Sequence, residues 1–300
     1  MQASASPLAA VRANRVTLAA FAALVGLIGT NLVAIRIGNR ELPPLWNAGF
    51  RFLVAAVLFW AIAGFRRASR PSRRAVTGAA IYGLMSIALF FGFLYAGLVA
   101  ASVDVATATL ALGPLITLGL AAAFGLERLR TSAVVGALIA FAGIAVMYAS
   151  TLMGGSVPIT SLLLLIAAAV SFAIGGIEVK RTPPMDLVVQ NGIASTMGAI
   201  VLIGLAIAAG EDLTLPRQPE TWLAFVYLVI PGTLLTFWLL LFLLRRWPAS
   251  RVAYQFVLAP IVAIIVAALI LGEPIEPVII LGTALVIVGV WLGALRSTSS

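Results

Sequence analysis

Ten stretches of mostly apolar residues follow one another along this chain, and only short connections separate them. About 20 apolar residues in an α-helix are enough to cross the roughly 30 Å hydrocarbon core of a bilayer. Only 10% of the 300 residues are charged, whereas soluble domains carry about 25% to cover a surface in water. The sequence therefore predicts an all-α polytopic membrane protein with ten transmembrane helices. They lie at approximately 16–37, 44–64, 75–97, 101–124, 131–149, 158–179, 186–208, 221–243, 249–271 and 276–294.

Basic residues predict the orientation of these helices. All of the 19 Lys and Arg residues fall in the tails or in loops on one side of the membrane, apart from Arg36, Arg40, Arg51 and Arg217. Such an excess of Lys and Arg is typical of cytoplasmic loops. We therefore expect both termini in the cytoplasm, with a flexible tail at 1–15 and a second tail at 295–300. This layout describes a multi-pass protein of the inner (plasma) membrane.

Two missing residue types limit the chemistry. The chain contains neither cysteine nor histidine, which excludes thiolate nucleophiles, His-based triads and imidazole metal sites. We expect no enzyme, no cofactor and no metal, because few reactive groups remain. The net charge of +9 sits in short loops between spans, where it fixes orientation, so we expect the lipid bilayer and no nucleic acid as a partner.

The chain carries the same pattern twice. The stretch LGPLITLGLAAAFGLERL begins at residue 112, and LAPIVAIIVAALILGEPI begins at residue 258. Each places a glutamate 13 residues after a proline, and two glycines follow at equal distances in both copies. Matched residues at one constant offset of 146 positions indicate a duplicated five-helix unit. The matched pairs are Pro114 and Pro260, Glu127 and Glu273, Gly136 and Gly282, and Gly143 and Gly289.

An odd number of helices in each unit inverts the second unit in the membrane. We therefore predict a first repeat at 16–149 and an inverted second repeat at 158–294. Inverted repeats are characteristic of secondary transporters, which bind substrate between the repeats and work by alternating access. The alternative is a structural membrane protein that transports nothing. At the membrane boundary, Glu127 and Glu273 are expected to have an architectural role.

These motifs resemble a known family. The proline, the glutamate after Leu126 or Gly272, and the two later glycines are similar to the drug/metabolite transporter superfamily of the EamA type. Gly29-Thr30-Asn31 and Arg51-Phe52 resemble two further elements of that family. The ten-helix layout is similar to the aromatic amino-acid exporters of the YddG type. The resemblance implies an exporter of small organic solutes, most of all of aromatic or other neutral amino acids.

Polar residues inside the spans are the candidates for a substrate site, because placing them in hydrocarbon is costly. We expect a central site near the bilayer midplane, with Asn31 and Gln255 binding the amino and carboxylate groups and with Tyr82 and Trp238 contacting the side chain. Asp104 is a candidate partner for an ammonium group, and Pro114 and Pro260 are candidate hinges. The full set of candidate binding residues is Asn31, Tyr82, Ser86, Thr107, Thr233, Phe237, Trp238, Tyr254 and Gln255.

Several alternatives stay open at this point. Proton-coupled efflux of drugs or metabolites would require a titratable carboxylate deep in the membrane, and lipid flipping belongs to another functional class. The glycines of the fifth and tenth spans allow close backbone approach. Such approach is equally compatible with packing inside one chain and with a homodimer.

Overall fold

The structure is a computed structural model that describes residues 7–101, 103–149, 157–271 and 277–295. Glu273 lies outside the described residues, as does the side chain of Asp104. Within the described ranges every regular element is a helix, and no strand occurs. Numbered in chain order, the helices are α1 Pro7–Gly38, α2 Pro44–Phe65, α3 Arg73–Leu98, α4 Val103–Leu110 with Gly113–Ala123, α5 Thr131–Met147, α6 Ile159–Arg181, α7 Leu187–Ala208, α8 Pro219–Leu244, α9 Ala249–Val252 with Gln255–Leu271, and α10 Pro277–Val290 with Trp291–Leu295.

This architecture confirms the predicted all-α membrane fold. Among the described residues, eight helices are long and apolar enough to cross a membrane, and α5 and α10 are shorter apolar helices. Helices suit this environment because each backbone polar group finds its partner within the same segment. Local signals fix where they begin. Pro44 occupies the first turn of α2, and Asp186 accepts a hydrogen bond from the backbone N–H of Val188 at 2.8 Å to cap α7.

The glycines of α5 and α10 pack against each other within one chain. A Cβ on Gly143 would stand 2.7 Å from the carbonyl oxygen of Gly282, and one on Gly136 would stand 2.7 Å from that of Gly289. The two helices therefore run antiparallel at backbone contact, as small residues permit in membranes. A homodimer through these glycines would require faces that are already occupied.

The second and seventh helices are also antiparallel neighbours. Gly49 near the start of α2 faces Ile203 near the end of α7, whereas Gly192 near the start of α7 faces Trp60 near the end of α2. The pairs α2 with α7 and α5 with α10 each combine a helix of the first half with its counterpart in the second. Antiparallel packing of counterparts is the geometry of an inverted repeat.

Helices α3 and α8 share an irregularity that the sequence did not predict. Each contains a π-helical turn, at Leu84–Leu89 in α3 and at Ile230–Leu235 in α8. A π turn holds one more residue than an α turn and occurs often at functional sites. The two turns start 146 positions apart, the offset that also relates the repeated prolines and glutamates.

Helices α4 and α9 are both broken, although not at equivalent places. The first piece of α4 ends at Leu110, and Pro114 lies in the first turn of the second piece. In α9 the break falls at 253–254, and Pro260 lies inside the longer piece. Proline removes one backbone donor and crowds the carbonyl four residues earlier. In α4 the break directly follows Leu110, the fourth residue before Pro114. In α9 the break lies before Phe256, the fourth residue before Pro260.

Two carboxylates on the predicted external side connect the halves. Glu211, after α7, accepts hydrogen bonds from the backbone N–H groups of Leu45 (3.2 Å) and Trp46 (2.7 Å) at the start of α2. Glu41, before α2, accepts one from the backbone N–H of Arg217 (2.6 Å) just before α8. Each carboxylate satisfies donors that an isolated helix start would leave without partners.

Candidate functional site

Asn31 lies where α1 contacts the π-helical turn of α8. Its Nδ2 donates a hydrogen bond to the carbonyl oxygen of Gly232 at 2.9 Å, and its Oδ1 is buried without a hydrogen-bond partner. Residue 232 has no room for a side chain, because a Cβ there would meet that same Oδ1. One end of the amide thus fixes α1 to α8, and the other end leaves a free acceptor.

The two residues before Asn31 extend these contacts. The Thr30 hydroxyl donates to the carbonyl oxygen of Gly26 at 2.9 Å, so the Tyr227 hydroxyl, 2.5 Å away, is the donor in the bond between the two side chains. A Cβ on Gly29 would stand 2.6 Å from the Cβ of Val262 in α9. The Gly29-Thr30-Asn31 stretch of the first half therefore contacts two helices of the second half.

Helix α3 presents one engaged hydroxyl and one free hydroxyl. Ser86 donates to the carbonyl oxygen of Phe172 in α6 at 3.5 Å, and it fits there because residue 175 is glycine. Tyr82 is fully buried, and its hydroxyl has no hydrogen-bond partner. Ser86 thus joins α3 to α6, whereas the Tyr82 hydroxyl is buried without a partner.

The candidates on α4 and α9 differ in the same way. Tyr254 donates to the carbonyl oxygen of Ala133 in α5 at 3.4 Å, which ties the break in α9 to that helix. Gln255 is buried, and its Oε1 has no hydrogen-bond partner. Thr107 is half-buried in the first piece of α4. Of Thr107, Tyr254 and Gln255, Gln255 is the residue whose buried acceptor oxygen lacks a hydrogen-bond partner.

The candidates on α8 are engaged in local packing. The Thr233 hydroxyl donates to the carbonyl oxygen of Leu228 at 2.7 Å, five residues back across the π turn. Phe237 meets Phe52 edge to face, with ring centroids 5.4 Å apart. The half-buried Trp238 stacks on a neighbouring phenylalanine of its own helix at 5.5 Å.

Six aromatic rings form a continuous series through the centre of the bundle, here named the aromatic cluster. Consecutive ring centroids are 4.7 to 5.5 Å apart. Such edge-to-face and tilted contacts are favourable for aromatic pairs. The rings belong to α8, α2, α3, α6 and α9, so the cluster joins both halves. In order along the series they are Phe237, Phe52, Phe91, Phe90, Phe172 and Phe256.

Three polar residues received no role from the sequence, yet they are buried without full partners. Arg51 is 3% exposed, and its Nε has no hydrogen-bond partner. Asn191 and Ser195 on α7 are fully buried, and their side-chain polar atoms have no partner among the described residues. Their spacing of four in an apolar span places them on one helix face. That spacing is the signal that could have identified them.

The arrangement is suited to binding polar groups of a ligand. Asn31, Tyr82 and Gln255 do not hydrogen-bond to one another, and each keeps a free buried oxygen. In the part of the chain that the structure describes, no group of three acidic, His or Cys residues could hold a metal ion. Buried polar atoms normally find partners, so these oxygens are positions where a ligand could form hydrogen bonds.

Comparison with known families gives one match that covers both halves. A model described as "EamA-like transporter family" matches residues 16–149 and, separately, residues 159–294. One solved crystal structure superimposes with a TM-score of 0.79 at 22% sequence identity, over 93% of this chain and 98% of its own. At that identity the likeness shows the fold alone.

Relatives from bacteria resemble the chain over most of its length. A protein of Salmonella typhimurium (strain LT2), named "Probable amino-acid metabolite efflux pump", is 29% identical over 275 residues, which are 88% of this chain and 90% of the relative. An Escherichia coli (strain K12) protein, named "Uncharacterized inner membrane transporter YedA", is 30% identical over 270 residues, 88% of this chain and 87% of the relative.

Proposed function

Because the chain belongs to the EamA-like transporter family and is a transporter rather than an enzyme, we propose that it exports amino acids across the inner membrane. The substrates are aromatic or other neutral amino acids. The names of two relatives support this proposal, since one is a "Probable amino-acid metabolite efflux pump" and the other an "inner membrane transporter". Both termini then lie in the cytoplasm.

The observation that carries the proposal is a set of free buried acceptors in a bundle whose centre is aromatic. The Oδ1 of Asn31, the Oε1 of Gln255 and the hydroxyl of Tyr82 lack partners. The aromatic cluster joins five helices from both halves. An amino acid has an ammonium group that donates hydrogen bonds and, in the aromatic members, a ring that packs on rings.

Alternating access follows from the relation between the two repeats, 16–149 and 158–294. Counterpart helices pack antiparallel, so each half can take the role of the other when the protein exposes its site to the opposite side. The break in α4 beside Pro114 and the proline inside α9 are the hinges in this scheme. No cofactor or metal takes part, and the lipid bilayer is the other partner.

Counterflow in proteoliposomes tests the proposal. Proteoliposomes that contain the purified protein are loaded with unlabelled amino acid. They are then assayed for uptake of labelled phenylalanine, with other amino acids and cationic drugs as competitors. Alanine substitution of Asn31 or Gln255 should raise the half-saturation concentration about tenfold or more, because a hydrogen bond to a charged group contributes about 1.5–3 kcal/mol. Alanine substitution of Tyr82 or Trp238 should also raise it, because each removes an aromatic contact with the substrate's side chain.

Matched controls separate binding from folding. Thr77→Ala changes an exposed threonine that bonds only to its own helix, and Trp222→Ala removes a tryptophan that is 41% exposed. Both should transport like the unchanged protein, and every variant should elute as a single species. Unchanged transport in all four test variants would place the site elsewhere. Transport of cationic drugs without any amino acid would favour the drug-efflux alternative.

A further inference from the structure

Arg51 is a cation buried inside a membrane span. It lies seven residues after Pro44, the first residue of α2, which is about 10 Å along the helix at 1.5 Å per residue. Its side chain is 3% exposed, and an arginine remains charged in proteins. Intramembrane arginines are rare because burying the charge is costly, and they usually pair with another group. The neighbours of Arg51 therefore decide its role.

These neighbours are rings instead of carboxylates. The guanidinium carbon lies 4.9 Å from the ring centroid of Phe52 and 4.7 Å from that of Phe91. The rings stabilise a cation through their faces, but they accept no ordinary hydrogen bond. Tyr95 lies one turn after Phe91 on the same helix. Among the described residues, no carboxylate forms an ion pair with Arg51.

Two acidic residues on the same side of the bundle have other partners. Glu211 accepts from the backbone at the start of α2, and Glu41 accepts from the backbone before α8. Phe52 and Phe91 are members of the aromatic cluster, and the half-buried Phe91 leaves part of its surface uncovered. The guanidinium thus lies over the second and third rings of the aromatic cluster, and its Nε donor has no hydrogen-bond partner.

We propose that Arg51 binds the carboxylate group of the transported substrate. A guanidinium presents parallel N–H donors that match the two oxygens of a carboxylate. The positive pole of the site is then Arg51, and the free acceptors of Asn31 and Gln255 receive the ammonium group. This inference rests on the proposed export of amino acids and revises the partner of the carboxylate, which the sequence had assigned to the Asn31 and Gln255 amides.

A ligand pair that differs only in the carboxylate tests the inference. Phenylalanine and phenylalaninamide share the ring and the ammonium group, so each is used to compete with labelled phenylalanine in proteoliposomes. The unchanged protein should bind the amide at least about tenfold more weakly than the acid. Arg51→Gln should weaken binding of phenylalanine to the level of the amide and leave binding of the amide unchanged. Arg51→Lys should retain part of the preference.

Arg40→Gln is the matched control, because it removes an exposed arginine from the external loop and should keep the full preference for the acid. An equal preference in Arg51→Gln and the unchanged protein would overturn the inference. If Arg51→Gln does not fold, the other proteins still test the inference. Equal competition by phenylalanine and phenylalaninamide in the unchanged protein would overturn it. A tenfold preference for phenylalanine that becomes smaller in Arg51→Lys would support it.

Failure of the proposed amino-acid export can be distinguished from failure of the carboxylate site. If no amino acid is transported, that function fails, and stabilisation of the purified protein by benzoate or phenylacetate then tests the anion site alone. A rise in melting temperature that Arg51→Lys reduces and Arg40→Gln preserves supports a carboxylate site. The absence of any rise overturns it.

Discussion

The carboxylate of Glu127, four residues after the end of α4, accepts hydrogen bonds from the backbone N–H of Ser250 at 3.2 Å and from the hydroxyl of the same residue. Ser250 is the second residue of α9, the counterpart of α4 in the other half. A carboxylate at a helix start satisfies free N–H groups and interacts favourably with the helix dipole. The expected architectural role of Glu127 is therefore a cap across the two halves.

Glu127→Gln and Ser250→Ala should each lower stability by about 0.5–2 kcal/mol, the usual cost of losing a helix cap. The double substitution should cost less than the sum of the two, because both remove one interaction. Melting temperatures in detergent check this. Glu220→Gln, an exposed acid in the first turn of α8, is the control. Strict additivity would show that the two residues act independently.

Gly136→Ala should destabilise the packing of α5 on α10. The added Cβ would stand 2.7 Å from the carbonyl oxygen of Gly289, and such overpacking typically costs about 1–3 kcal/mol. Gly204→Ala in α7 is the control, since a Cβ there meets nothing within 4 Å and alanine favours the helix by about 1 kcal/mol. Melting temperature should fall in the first variant and hold or rise in the second. Equal behaviour of the two would refute the close approach.

Pro114→Ala and Pro260→Ala should impair transport more than folding. Without Pro114 the two pieces of α4 can join into one straight helix, because the missing backbone donor and the crowded carbonyl are both restored. Counterflow rate and melting temperature are measured on the same preparations. A loss of transport with unchanged melting temperature supports the hinges, and parallel losses of both would assign the prolines a static role.

Glu41 should make stability depend on acidity. The hydrogen bond from Thr221, with those from the backbone N–H groups of Arg217 and Gln218, lowers the pKa of this carboxyl between α1 and α2. A group whose pKa is lower in the folded state contributes stability above its ordinary value of about 4.3, and this contribution is lost as the pH falls through the folded pKa. Glu41→Gln should therefore flatten the fall in melting temperature below about pH 4.3. Asp212→Asn, an exposed acid nearby, should leave the curve unchanged, and parallel curves for all three proteins would refute the assignment.

The proposed orientation is testable because the chain has no cysteine. Single cysteines at Ser69 and Asp212, both exposed, lie between α2 and α3 and between α7 and α8. An impermeant maleimide added outside intact cells should label Asp212→Cys and spare Ser69→Cys. Lysed cells should label both, which controls for reactivity. The reverse labelling pattern in intact cells would show that the protein has the opposite orientation in the membrane.

The fold was predictable wherever the bilayer imposes one solution. In hydrocarbon each spanning segment must form the hydrogen bonds of its own backbone N–H and C=O groups, which favours a helix. The length of the apolar stretches alone therefore predicted the ten helices. The glycines of the fifth and tenth spans predicted close helix contacts, because small residues let backbones approach in lipid. Which helices they contact depends on how the bundle assembles. The π turns could not be predicted, because one additional residue in a long apolar span does not change its hydropathy.

The site was less predictable because sequence shows that a residue is polar and not whether its neighbours already satisfy it. Ser86 and Tyr82 lie on one helix face, yet only the first has a partner. Thr233 bonds to its own helix because the π turn brings a carbonyl within reach. The sequence places Arg51 within the second span, but its contact with the ring of Phe91 results from the packing of α2 on α3.

The π turns in α3 and α8 also record the order of events in the history of this chain. A π turn arises when one residue is inserted into an α-helix without lengthening its ends, and such a turn is less favourable than the α turn it replaces. Both copies carry it at positions 146 apart. A single insertion explains both copies if it preceded the doubling of the ancestral gene.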